Sequence, residues 1–163
     1  MIVYHGSVDI VTNPDVKHSY RNLDFGRGFY VTTVKEQAER WATRKTLFKK
    51  GTNGTVSVYN MIDIPEELAL KEFDDNLEDW IDFVCDCRSG SEKYLEYDII
   101  SGKVADDKVY RVVDLYRRGI WDKQRAISEM KAYETYDQLA FISQKAIDSL
   151  LSFAESYEVA IYD

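Results

Sequence analysis

Two clusters carry the residue types that could do chemistry. Tyr4-His5-Gly6-Ser7 puts a histidine at the end of a short apolar run, followed at once by glycine and a hydroxyl. Asp24-Phe25-Gly26-Arg27-Gly28-Phe29-Tyr30-Val31-Thr32 brackets an arginine between glycines and runs into aromatic and β-branched residues. Histidine is a hydrogen-bonding ring that titrates near neutrality, and glycine beside it lets a ligand approach main chain closely. The pattern suggests a strand edge onto which a ligand backs. The alternative is a β-turn with core aromatics, His5 being a hydrogen-bonded structural residue.

Other chemistries find no support. Cys85-x-Cys87 lies inside a helical pattern, where residues i and i+2 point to different faces and neither bridge nor share a metal well. No further His/Cys cluster accompanies it, so no metal site is expected. There is no Gly-x-Ser-x-Gly and no P-loop, and His5 and His18 are the two histidines available as bases.

Elements must position these residues. Ile2-Val3-Tyr4 reads as a strand, followed by a polar stretch to Arg21 with a turn at Asn13-Pro14-Asp15. Residues 28–32 read as a second strand. Thr33 and Glu36 fit a capping box, and Ala38, Trp41 and Ala42 form the apolar stripe of the helix behind it, stopped by Gly51 and Gly54. Residues 55–60 alternate as a strand. Leu77, Trp80, Ile81 and Val84 share one face of a helix over 76–87. A short strand at 97–100 precedes a helix over 106–118, ended by Gly119. Asp122 caps the next helix, with Ala126, Ile127 and Met130 inward. The remainder reads as a strand over 138–143, a helix over 146–153 and a strand over 159–162. Strands and helices mix without regular alternation, which predicts an α+β fold with a largely antiparallel sheet.

The chain has 163 residues, 45% of them hydrophobic and 31% charged, so one domain spanning 1–163 is expected. No apolar run approaches the ~20 residues of a membrane span. The first residues lack the pattern of a signal peptide, and two cysteines make no disulfide framework. A cytoplasmic protein is the expectation. Net charge is −8, which argues against non-specific nucleic-acid binding over the whole surface. Residues 1–54 nevertheless hold nine Lys/Arg against five Asp/Glu. That basic portion would suit a phosphate-bearing ligand, or it reflects chance differences between helix surfaces.

In their order, the two clusters and the following helix with Gln37-Ala38 and Trp41-Ala42 resemble the ADP-ribosyltransferase superfamily, in its diphtheria-toxin-like and poly(ADP-ribose)-polymerase-like branch. The chain also looks like a bacterial family, a domain of unknown function, whose members share His-Gly-Ser, Asp-Phe-Gly-x-Gly-Phe-Tyr, Asp-Gln-x-x-Phe and a Gly-x-Val-Ala-x-Asp loop. That loop is here Gly102-Lys103-Val104-Ala105-Asp106-Asp107.

The resemblance implies a split β-sandwich with peripheral helices that binds NAD in a cleft. Carried over by position, His5 would hydrogen-bond the adenosine-side ribose and Gly6 main chain would hold the nicotinamide amide. Tyr30 would stack on the nicotinamide ring, and Ser7 would reach the ribose or amide. Arg27 would meet the diphosphate, as suits a guanidinium. Thr32, ending the Tyr30 strand, belongs to the same candidate binding set. The superfamily usually places a glutamate at the start of a late strand; here that position is Gln138, in Tyr136-Asp137-Gln138. A neutral amide keeps a hydrogen bond to the nicotinamide ribose but gives up about 1–2 kcal/mol of charge assistance, a slowing of roughly 5- to 30-fold. Glu134 and Asp137 are the nearby candidates to supply the charge, and Gln138→Glu is expected to speed turnover. Gln138 pairing only with main chain is the other reading. Asp98, Asp106 and Asp107 form a second polar cluster, Asp106 either capping a helix or contacting ligand.

The expected function is NAD-dependent mono-ADP-ribosylation of an acceptor macromolecule, with NAD as substrate. The resemblance also suggests a toxin of a toxin–antitoxin-type pair, with a small antitoxin-like partner. The alternative is a catalytically weak NAD- or ADP-ribose-binding or partner-interaction module.

Overall fold

A computed structural model describes residues 1–19, 22–47 and 53–160. Its strands are β1 (Ile2–Ser7), β2 (Phe29–Val31), β3 (Thr55–Met61), β4 (Leu70–Glu72), β5 (Ile99–Lys103), β6 (Asp137–Phe141) and β7 (Leu151–Glu158). Its helices are α1 (Lys35–Thr46), α2 (Leu77–Arg88), α3 (Asp107–Arg117), α4 (Lys123–Met130) and α5 (Gln144–Leu150), with a 3-10 turn at Lys93–Glu96.

The strands form two sheets, one in the order β1-β3-β7 and one in the order β2-β6-β5-β4. All pairings are antiparallel except β4 with β5. The α+β expectation therefore holds, with the strands divided between two sheets. The sheets touch at a seam where Tyr4 and Thr32 exchange main-chain hydrogen bonds of 2.8 and 2.9 Å.

Alternation along the strands sorts the core into layers. Val3, Tyr59, Phe29, Val31, Leu139 and Phe141 pack between the sheets together with Ile147 and Leu150 of α5. Tyr30, Ile100 and Ala140 point to the opposite face of the second sheet, where α2, α3 and α4 cover them. Ala38 and Ala42 of α1 pack on Val56 and Val58 of the first sheet. That last contact is close. A Cβ on Gly6 would lie 1.9 Å from the Ala38 carbonyl oxygen, so Gly6 is what lets α1 sit on β1.

Several boundaries differ from the sequence reading. The first strand runs through His5, Gly6 and Ser7 because all three pair with β3. The capping box is absent: Val34 caps α1. The Thr33 hydroxyl instead donates to the Asp137 carboxylate at 2.7 and 2.8 Å, while the Thr32 hydroxyl accepts from the Val34 amide. β4 has no counterpart in the reading. The expected strand at 97–100 is displaced to β5, and the helix expected over 146–153 ends at Leu150. Phe153 belongs to β7, whose residues register against Thr55–Met61. That ladder overrides the helical spacing of Ala146, Ile147, Leu150 and Leu151. Of the strand expected over 159–162, Val159 and Ala160 lie outside β7. Ile161 and Tyr162, like Gly51 and Arg21, lie outside the described residues.

The starts of α2, α3 and α4 came through better. Asn76, Asp106 and Asp122 accept from the amides of Asp79, Val109 and Arg125, as N-caps do. Among the described residues, no helix is long and apolar enough to cross a membrane.

Candidate functional site

His5, Tyr30 and Gln138 come from β1, β2 and β6 and line one cleft of about 210 Å³. The seam between the sheets brings β1 beside β2, and Tyr30 opposes Ala140 in the β2–β6 ladder. Period-two alternation then puts Tyr30 and Gln138 on one face. Leu23, Asp24, Trp41, Arg44, Lys45 and Arg88 are among the remaining lining residues.

His5 is buried, with its ring stacked on Phe29 at 4.3 Å. Its Nδ1 lies 2.6 Å from the Tyr30 carbonyl oxygen. A carbonyl only accepts, so Nδ1 carries a proton, and Nε2 accepts from His18 Nε2–H at 3.1 Å. Burial and then the Lys45 ammonium hold His5 well below the ordinary histidine range, and the same two causes lower His18. Both shifts favour the neutral ring. The His5 ring is thus held at both nitrogens.

Tyr30 is 9% exposed. Its hydroxyl accepts from the Phe25 amide at 2.9 Å and donates to the Gly26 carbonyl at 2.7 Å. Burial, then the Asp24 charge, pushes its pKa well above 10. The hydroxyl therefore fastens the 24–28 loop, and the ring is what Tyr30 contributes to the cleft wall. That loop turns at Gly26 with φ +83°, where a side chain would also strike the Tyr94 ring.

Gln138 is 3% exposed. Its amide nitrogen donates to Asp24 Oδ2 at 2.9 Å and to the Lys103 carbonyl at 3.1 Å. Asp24 also accepts from the Ala105 amide at 3.0 Å and from Arg88 Nε at 2.8 Å, with a second, shorter contact to the same guanidinium. Arg88 lies over the Tyr110 ring. Asp24 thus ties together the glycine loop, the end of α2, the loop after β5, and β6.

Lys45 projects from α1 to the Gly6 carbonyl at 2.8 Å. Its ammonium is crowded by protein, which draws its pKa down to about 8. Arg44 reaches outward to Asp107 at 2.9 Å, both partners well exposed.

Other candidates lie elsewhere. Gly6 serves the packing of α1, and its carbonyl is taken by Lys45. Ser7 donates to the Asp9 carbonyl, and Thr32 is buried, donating to the Asp137 carbonyl at 2.8 Å. Arg27 is exposed and lines no part of the cleft; the cations there are Arg44, Lys45 and Arg88. Asp137 is committed to Thr33, and exposed Glu134 is not among the lining residues. Neither supplies charge to Gln138. Asp98 accepts from the Ala69 amide at 2.8 Å and is structural. Asp106 caps α3 and also lines the cleft, while Asp107 pairs with Arg44. Cys85 and Cys87 are buried, with burial raising their thiols to about 11 and 12, so both are packing residues.

Sequence reasoning missed Asp24, Trp41 as a wall residue, Lys45 and Arg88. Asp24 had a signal, as an acidic residue beside a buried Phe25 in the motif stretch. Arg88 had none, being 64 residues away along the chain from its partner.

Residues 1–153 match the family model described as a protein of unknown function (DUF3990). The chain belongs to that family. No curated protein and no solved structure shows a significant match to it.

Proposed function

We propose that this member of the DUF3990 family is an NAD-dependent mono-ADP-ribosyltransferase that works from the His5, Tyr30 and Gln138 cleft. The observation that carries the reading is the meeting of those three residues, spread over 133 positions, at one site. In the reaction, the bond between ribose C1′ and nicotinamide nitrogen breaks. Nicotinamide leaves with the electron pair, and an acceptor oxygen or nitrogen bonds to C1′ and gives up its proton. The Tyr30 ring is the platform for nicotinamide. On this reading Gln138 faces the nicotinamide ribose, and Lys45 offers positive charge to the diphosphate. Ligand pockets usually span about 300–1,000 Å³. A cleft of about 210 Å³ is therefore sized for the nicotinamide end of NAD rather than for the whole molecule. For the nicotinamide amide to bind the Gly6 carbonyl, Lys45 must leave it.

A second reading is supported by the same Gln138 contacts. An amide held by two acceptors is fixed in place, which suits a module that binds NAD or ADP-ribose without turning it over. A toxin role and a small antitoxin-like partner rest on the resemblance alone.

Calorimetric titration with NAD tests the shared premise. The native protein should bind, and Tyr30→Ala should bind several-fold to about tenfold more weakly, since an aromatic contact is worth ~0.5–1.5 kcal/mol beyond burial. Absence of heat with the native protein contradicts both readings, and equal affinity in Tyr30→Ala contradicts the stacking role.

A further inference from the structure

We propose that Asp24 supplies the negative charge this cleft needs at the ribose, acting as a positioning residue through the Gln138 amide. The inference rests on the NAD-cleaving reading and adds a residue to it. Breaking the glycosidic bond builds positive charge on the ribose, which a fixed negative dipole or charge nearby stabilises. Gln138 is neutral, Asp137 is bonded to Thr33, and Glu134 is not among the lining residues. Of the residues lining the cleft, the carboxylates are Asp24 and Asp106. Asp106 spends its oxygen on the α3 cap at 3.3 Å. Asp24 is 4% exposed and bonds Gln138 directly.

The geometry of that bond fixes the amide. Gln138 Nε2 has two hydrogens, and both have acceptors, Asp24 Oδ2 and the Lys103 carbonyl. The flipped amide would set its oxygen against the same two acceptors, so one orientation holds. The carbonyl end of Gln138 then points away from Asp24. A hydrogen bond to a carboxylate polarises the donor amide, placing more negative charge on its oxygen. Asp24 on the glycine loop and Gln138 on β6, 2.9 Å apart, together thus do what a single glutamate does from one position. Arg88 tempers the effect, since its guanidinium holds the other carboxylate oxygen at 2.8 Å.

That arrangement gives opposite signs for two neighbouring substitutions. Asp24→Asn removes the charge and should lower kcat for nicotinamide release about 5- to 30-fold, with KM for NAD changed less than about threefold. Arg88→Gln frees the carboxylate from its counter-charge and should raise kcat, even though it weakens a buried ion pair. A purely structural role for Asp24 predicts instead that both variants lose kcat in step with Tm. The assay is nicotinamide release over a range of NAD concentrations up to saturation, with cell lysate as the source of acceptor, and Tm is read alongside. If Asp24→Asn unfolds, the pair Asp24→Asn/Arg88→Gln removes both charges together, which cores tolerate better than one, and it should show the same fall in kcat. The inference is overturned by wild-type kcat in either Asp24 variant, or by a fall in Arg88→Gln that tracks Tm. Those results leave the enzyme reading standing. A native protein that releases no nicotinamide overturns the enzyme reading and this inference together.

Discussion

Gln138→Glu tests the hydrogen-bond reasoning without any ligand. The substitution keeps shape but exchanges an amide that donates at 2.9 Å to Asp24 and at 3.1 Å to the Lys103 carbonyl for a group that, ionised, donates to neither. The bond to the carboxylate is worth about 1.5–3 kcal/mol and the neutral one about 0.5–1.5 kcal/mol. The introduced carboxyl also faces a carboxylate, so its folded pKa rises above the unfolded ~4.3. A rise of ~2 units corresponds to about 2.7 kcal/mol. The sign follows from proton counting. Between the unfolded and the folded pKa the native state holds the extra proton, so stability falls as pH rises through that window. Below about pH 4 both states are protonated, and the acid O–H can donate to Asp24 as the amide did. Urea denaturation of the variant and the native protein at pH 4 and pH 7 gives the difference at each pH, which cancels the acid response of the rest of the molecule. The variant should be about 0.5–1.5 kcal/mol less stable than the native protein at pH 4, through the lost bond to the Lys103 carbonyl, and about 2–3 kcal/mol less stable again at pH 7. Equal differences at the two pH values, or a more stable variant at pH 7, would refute the placement of Gln138 against Asp24. The same contact removes the reason to expect faster turnover from this substitution, since a carboxylate already stands beside it.

Gly6→Ala should cost about 3 kcal/mol and lower Tm on the order of 6–12 °C, because the added Cβ meets α1 backbone at 1.9 Å; an unchanged melting curve would contradict that packing. Tyr30→Phe should lose about 1–3 kcal/mol of stability through the unpaired Phe25 amide and Gly26 carbonyl, while NAD affinity measured by calorimetry stays within about twofold. Lys45, with a pKa drawn down to about 8, should react with an amine-directed acylating reagent along a pH curve centred near 8, read by peptide mass spectrometry, and NAD should protect it. A midpoint above 10 would show its ammonium to be freely solvated.

What the sequence disclosed is tied to how local each signal was. Helix caps at Asp106 and Asp122 depend on residues three apart and were legible. The Thr33 capping box failed because Asp137, 104 residues on, competes for the hydroxyl. β7 was hidden because most of its side chains are exposed and its pairing with β3 is a long-range event. At the site, His5, Tyr30 and Gln138 were found through motif order, which a linear chain displays. The close approach that Gly6 allows was legible, but not that α1 is the element approaching it. Arg27 was favoured by its place in the basic N-terminal portion and by its guanidinium, yet the cations of the cleft stand on α1 and α2, where helix rotation decides what they face. Asp24 and Arg88 meet only when the glycine loop folds back onto the end of α2.

The central claim is that this cleft cleaves NAD, and nicotinamide release measures that directly. Native protein incubated with NAD and cell lysate should yield nicotinamide and an acceptor heavier by one ADP-ribose unit, and Tyr30→Ala should yield far less of both. NAD recovered intact, with no acceptor gaining mass while the protein binds NAD in the same buffer, would contradict the enzyme and leave the binding module.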